Sequence, residues 1–155
     1  VLVKELHCSL RKHNPGAHLI VAAVAGDLSG GTLEEVASLE NAEYLEWEEF
    51  TYPNTHNPRF SYNWVKLRAW SLEEHSAVVM LDADGIVLAD LEHLFSIPTD
   101  FAWTFEQGLN FAWNSGGLVF LRPCKAVFEH MKQLLSAEPA LRSEDGLGEQ
   151  DFMGW

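Results

Sequence analysis

Two rhythms of apolar and polar positions divide this chain into helices and strands. Leu2, Val3, Leu6 and Leu10 recur at helical spacing, with Lys4, Glu5, Arg11 and Lys12 off that face. Asn14-Pro15-Gly16 ends the helix. The run after His18, through Ala25, is unbroken apolar, the pattern of a strand buried on both faces. Ser29-Gly30-Gly31 predicts a turn, and Thr32 with Glu35 a capping box opening a helix to about Leu39. Glu43 to Trp47 reads as a short strand. Glu48 to Tyr62, with Pro53, Asn54, Asn57 and Pro58, is a long connection of the kind that serves as a lid or binding loop. Its aromatics Phe50, Tyr52, Phe60 and Tyr62 either stack on a sugar or tack the loop to the core, the second being the default. Asn63 is placed to cap a helix containing Lys66, Leu67, Arg68 and Trp70.

A second buried strand, Ala77 to Leu81, runs directly into Asp82-Ala83-Asp84-Gly85. Beyond it, Leu88, Leu91 and Leu94 mark a short helical segment closed by Pro98, and Phe101 to Phe105 a strand. Asn114-Ser115-Gly116-Gly117 predicts a turn into the strand Leu118 to Leu121, and Pro123 to Ser136 a helix burying Val127, Phe128, Met131, Leu134 and Leu135. A polar loop, Ser143 to Gly148, leads to Glu149-Gln150-Asp151-Phe152. Alternation of strand and helix implies one α/β domain over residues 1–155 with a mainly parallel sheet.

The acidic pair is the strongest chemical feature. Open α/β sheets gather ligands at the carboxyl ends of their strands, where Asp82 and Asp84 fall. Asp and Gly are preferred turn residues, so a turn is expected to begin here, and Gly85 permits it. So bent, the pair offers hard oxygen ligands suited to Mg²⁺ or Mn²⁺. The same residues also make an ordinary solvated turn.

Composition narrows the partners. A chain that is 47% hydrophobic and 21% charged is globular, and no apolar run approaches the ~20 residues of a membrane span. A net charge of −13 argues against nucleic acid and anionic membranes, and means that an anionic substrate needs a cation or a local Lys or Arg. Cys8 and Cys124 have no metal or disulfide spacing and read as free thiols, which leans towards the cytoplasm. None of the seven histidines has ligand spacing. Val1 opens inside an amphipathic pattern and Trp155 closes a segment just begun, so the chain reads as the core of a longer protein, whose missing start could carry a leader or a Golgi anchor.

Four blocks in order resemble the retaining glycosyltransferases of the glycogenin and galactinol-synthase family, family eight. They are Asn63-Trp64-Val65-Lys66-Leu67-Arg68-Ala69-Trp70, Met80-Leu81-Asp82-Ala83-Asp84, Trp113-Asn114-Ser115-Gly116-Gly117-Leu118-Val119, and Gly148-Glu149-Gln150-Asp151-Phe152. The resemblance implies a GT-A fold, a Rossmann-like sheet binding a nucleotide-sugar, a UDP-sugar, through a divalent metal, usually Mn²⁺. By it, Asp82 and Asp84 hold the metal, and Lys66, Ala83, Asn114, Ser115, Gly116 and Gln150 bind the donor. Gln150, Glu149 and Lys66 then lie at the catalytic centre, with Glu149 standing where family members commonly have Asp. The family's third metal ligand, a His, lies downstream of the last block. The acceptor, a carbohydrate, polyol or protein, is not legible, and a homodimer is compatible with the sequence.

Each assignment has a plainer rival. Lys66 can be an exposed helical charge, Asn114-Ser115-Gly116 only a tight turn, and Glu149-Gln150 only a helix start. Leu81 to Val87 also resembles the DxDG motif of haloacid-dehalogenase-like phosphatases, with Ile86 in place of its usual Thr; that reading leaves the other three blocks unexplained. A third reading is an inactive, truncated nucleotide-sugar-binding module, with an open strand position in its sheet.

Overall fold

The computed structural model describes residues 2–52, 58–107, 112–138 and 149–153, with the backbone alone at 58–60, 105–107, 112–116 and 151. Pro53, Asn54 and Asn57 of the long connection, the loop Ser143 to Gly148, and Val1, Gly154 and Trp155 lie outside the described residues. The chain divides into two compact units, residues 1–49 with 81–97 and residues 50–80 with 98–155.

In the first unit, α1 (Leu2–His13) buries Leu6, His7 and Leu10, while Leu2 stays exposed. The Nε2–H of His7 donates to the Glu40 carbonyl at 2.8 Å, so this histidine is a satisfied core residue. Strands β1 (Leu19–Val24) and β2 (Ala42–Trp47) pair in parallel from Leu19↔Ala42 to Val24↔Trp47, joined through α2 (Gly30–Ala37). Their parallel run requires the helical crossover that the alternation predicts.

The start of α2 differs from the expected capping box. Ser29, in extended conformation, is the N-cap, its hydroxyl accepting from the Thr32 amide, and Gly30-Gly31 form the first helical turn instead of a loop. Ser29 lies three residues before Thr32, so its oxygen reaches an amide that the helix leaves unpartnered. The expectation of strands buried on both faces also fails. Every residue of β1 and of β3 (Val78–Leu81) is only half-buried. Among the described residues β1 pairs with β2 alone, and a two-strand sheet has no central strand to enclose. The segment after Gly85 departs too: its helical residues, a 3-10 turn at Glu92–Ser96, begin after Leu88, which is exposed.

The second unit holds a sheet in the order β3-β5-β4, with β4 (Phe101–Gln107) and β5 (Ala112–Leu121) antiparallel. Asn114 to Gly117, expected as a turn, lie inside β5. The register jumps from Trp103↔Val119 to Thr104↔Ser115, leaving residues 116–118 as an irregularity on the β5 side. Gly116-Gly117 tolerate such a bulge, which is why this glycine pair mimics a turn in the sequence.

The helix expected from Asn63 begins earlier and is tighter. Pro58–Ser71 is a 3-10 helix, and Trp64, Leu67 and Trp70, three residues apart, are all buried. Side chains at i and i+3 eclipse in a 3-10 helix, so a three-residue apolar spacing gives one continuous stripe. The stripe packs near α3 (Lys125–Ala137), which buries Phe128 and Leu135. At the start of α3 the Lys125 amide donates to Glu73 Oε1 at 2.9 Å, so a distant carboxylate replaces a local cap. Phe50 and Tyr52 tack the long connection to this unit. A chain of rings runs Phe128, Phe50, Tyr52, Trp64, Phe152, with centroids 5.8, 5.5, 5.4 and 5.9 Å apart. Tyr62 is exposed, and the side chain of Phe60 lies outside the described residues.

Candidate functional site

The candidate residues fall in two groups, one in each unit. In the first unit the chain turns immediately beyond β3, where the Gly85 amide donates to the Asp82 carbonyl at 3.0 Å. A Cβ at Gly85 would stand 3.1 Å from that same oxygen, so glycine suits the closure. The turn leaves Asp82 half-buried and Ala83 and Asp84 exposed. Both acids thus fall within one turn at the end of β3. Ala83 also lines a cavity of about 300 Å³ with Leu2, Val3, Thr32, Val36 and Leu39.

Among the described residues no three His, Cys, Asp or Glu side chains converge as a metal site. Two carboxylates nonetheless match how Mg²⁺-like ions bind, through one or two protein ligands with phosphate oxygens and water completing the shell. The donor set fits such an ion in company with a diphosphate.

In the second unit α4 (Glu149–Met153) lies against β5 and against the 3-10 helix. Phe152 anchors it on Trp64. Glu149, three residues before Phe152 and therefore on the same helical face, is fully buried, and its Oε1 stands 3.7 Å from Lys66 Nζ. Lys66 is thus no loose surface charge: its ammonium is held beside a buried carboxylate, with only 20% of the side chain exposed. Gln150, one position on, is half-buried. Asn114 and Ser115 lie on β5 opposite Phe105 and Thr104 of β4, Gly116 opens the irregular stretch beyond them, and the side chains of Asn114 and Ser115 are outside the described residues. Lys66, Glu149 and the strand bearing Asn114 therefore belong to one packed group.

Sequence reasoning missed two residues that hold the segment following the acidic turn. Ser9 accepts from the Val87 amide at 3.0 Å, and Asn14 Oδ1 from the Leu91 amide at 2.7 Å. The available signal was Ser9 between Leu6 and Leu10 on α1, and Asn14 directly after the helix, four residues beyond Leu10. Both cysteines are free, as expected. No described helix is long and apolar enough to cross a membrane.

Comparison with known proteins adds to this geometry. No family profile matches the chain. It is 30% identical over 104 residues to UDP-glucuronate:xylan alpha-glucuronosyltransferase 1 of Arabidopsis thaliana, an overlap of 61% of this chain and 15% of that one. It is 28% identical over 124 residues to glycogenin-2 of Homo sapiens, covering 78% of this chain and 23% of the relative. With glycogenin-1 of Mus musculus it shares 29% identity over 99 residues, 63% and 29% of the two chains. The chain thus spans between 15% and 29% of the length of these curated relatives. The crystal structure of the glycosyltransferase GlyE in Streptococcus pneumoniae TIGR4 aligns with a TM-score of 0.58 at 16% identity, over 99% of this chain and 39% of that one. In sequence the chain is similar to glycogenins and xylan glucuronosyltransferases, and in structure it has the α/β fold of a GT-A glycosyltransferase.

Proposed function

We propose that this chain is the core of a single GT-A domain that transfers a hexose from a UDP-sugar to an acceptor, with retention of configuration and with Mn²⁺ or Mg²⁺ as cofactor. The observation that carries the reading is the Asp82–Gly85 turn at the carboxyl end of β3, which contains both acids and whose Ala83 lines a cavity. Similarity to a UDP-glucuronate:xylan alpha-glucuronosyltransferase supports it at the level of UDP-sugar chemistry.

Asp82 and Asp84 would hold the cation, which when bound neutralises the charge that develops on the departing diphosphate. The remaining work falls to the chain's own groups. Lys66, oriented by Glu149, offers a fixed positive charge to the donor's phosphates or sugar, and in a protein of net charge −13 such a cation is scarce. Asn114, Ser115 and Gly116 supply amide, hydroxyl and backbone groups for the donor sugar. Gln150 is neutral, so it can orient the sugar near its anomeric carbon without drawing a proton. The phosphatase reading accounts only for the acidic turn and for nothing in the similarity along the rest of the chain.

Calorimetric titration of UDP, with Mn²⁺ or with EDTA, tests the reading on the wild-type chain and on Asp84→Ala. Binding that requires Mn²⁺ and vanishes in the variant is the expected result. Absence of UDP binding by the folded chain, or binding indifferent to EDTA, would overturn it.

A further inference from the structure

Between Gly85 and Glu92 the chain that follows the acidic turn has neither helix nor strand, yet its course is pinned from one side. Three hydrogen bonds come from Ser9 on α1 and from Asn14, the residue directly after it. Ser9 Oγ accepts from Val87 N–H at 3.0 Å, Asn14 Oδ1 accepts from Leu91 N–H at 2.7 Å, and Asn14 Nδ2 donates to the Ala89 carbonyl at 3.2 Å. Ser9 is itself oriented, its hydroxyl donating to the Leu6 carbonyl at 2.8 Å. Between these bonds Val87 is buried against Leu6 and Leu10, with Leu81 and Leu91 packed at the edge of the cluster. Leu6, Ser9 and Leu10 are spaced at three and four residues on α1, and Asn14, whose amide donates to the Leu10 carbonyl at 2.7 Å, follows the helix end directly.

The consequence concerns Asp82 and Asp84. Their turn is tied at its start to strand β3 and closed internally by the Gly85–Asp82 bond. Val87, two residues beyond Gly85, is the next fixed point. Free of it, the exposed tip at Ala83 and Asp84 would sample many conformers, and only some would present both carboxylates to one ion. Groups that orient metal-binding carboxylates without touching the ion commonly matter for affinity.

We propose that Ser9 and Asn14 are positioning residues for the Asp82–Asp84 turn, holding it in the conformation that takes a divalent cation together with a nucleoside diphosphate. The proposal rests on the nucleotide-sugar reading above and adds to it a device built from α1. The role assigned to both residues acts through the backbone at Val87, Ala89 and Leu91.

Three measurements on Ser9→Ala, Asn14→Ala and wild type test it. They are the melting temperature, amide hydrogen exchange at Val87 and Leu91, and Mn²⁺ binding in the presence of UDP read by electron paramagnetic resonance. Ser9→Ala is expected to speed exchange at Val87, and Asn14→Ala at Leu91. In both, Mn²⁺–UDP affinity should fall roughly tenfold to a hundredfold, the range for outer groups that orient metal ligands. Ser9→Thr keeps the hydroxyl and should retain affinity. Asn14→Asp keeps the acceptor for Leu91 but loses the donor to Ala89, and is the variant to use if the alanine variant does not fold.

Unchanged affinity in folded variants with faster exchange would overturn the positioning role alone. Wild-type exchange at Val87 and Leu91 as fast as in the variants would show that the clamp does not exist. A wild-type chain that binds no Mn²⁺–UDP would overturn the parent reading, and the positioning role with it.

Discussion

The two units are stabilised by different means. Residues 1–49 and 81–97 carry three Lys or Arg against thirteen Asp or Glu, a formal charge of −10; the second unit carries seven against ten, or −3. The buried apolar side chains of the first unit are few and aliphatic, Leu6, Leu10, Val36 and Val87, whereas the second encloses Trp64, Phe120, Leu121 and Leu135 almost completely. The first unit compensates with long-range polar ties: His7 to the Glu40 carbonyl, Arg11 to Glu40 at 3.3 Å, Ser9 to Val87 and Asn14 to Leu91. Burial of large rings is not weakened by charge screening and punishes cavities. A self-repelling acidic unit tied by hydrogen bonds responds to ionic conditions instead. The divalent cation proposed for Asp82 and Asp84 would thus bind in the more anionic unit, where it also relieves repulsion.

That contrast can be broken at several points. The largest effect is expected from Trp64→Ala, which removes the ring joining Tyr52 to Phe152 and should destabilise by about 3–5 kcal/mol in chemical denaturation. Amides of β5 should lose protection more than those of β1. Equal loss in both would show that the units share one core.

Next is Lys66→Met, which withdraws a cation 3.7 Å from a fully buried carboxylate. Removing one partner of a buried pair destabilises by about 3 kcal/mol, whereas Glu149→Gln, which leaves the more exposed Lys66 to water, should cost less. Urea midpoints of the two variants give the order. The reverse order would place the dependence on Glu149's packing and not on the pair.

Asp84→Ala should change stability by no more than about 0.5 kcal/mol, because the side chain is exposed, while abolishing Mn²⁺-dependent UDP binding. A large gain in stability would instead mark charge repulsion as the main influence of Asp84.

The smallest effect concerns His18, whose pKa is raised by its hydrogen bond to Glu43, with Asn41 adding to it and slight burial opposing. The folded state therefore binds the proton more tightly than the unfolded state. This contribution is complete below the unfolded value near 6.5 and disappears as pH rises through the raised folded value. His18 and Glu43 are both largely exposed, so solvent screening leaves only about 0.2–1 kcal/mol. His18→Asn should match wild type above that range and fall below it in urea midpoints measured from pH 6 to 8.

Much of the site was legible because its chemistry is local. Asp82-Ala83-Asp84-Gly85 after an apolar run offered turn residues at a strand end, and the turn is there. Lys66, by contrast, gave no local sign of a partner. Glu149 lies 83 positions away in sequence, and their approach depends on α4 packing against the 3-10 helix through Phe152 and Trp64. The Asn114 to Gly117 block misled for a different reason. Gly-Gly marks turns and bulges alike, and the β4 partner strand chose between them.

What the amino-acid order by itself determined was the alternation of helices and strands, the acidic tip and the ordered blocks that resemble a glycosyltransferase. These follow from period, turn chemistry and residue type, which act within a few positions. Tertiary structure alone decided that Ser9 and Asn14 hold the segment behind that tip, that Glu149 meets Lys66, and that strands written as fully apolar remain half-buried. Hydrogen bonds, ion pairs and burial depend on which distant residues arrive alongside, and a one-dimensional pattern carries no record of that.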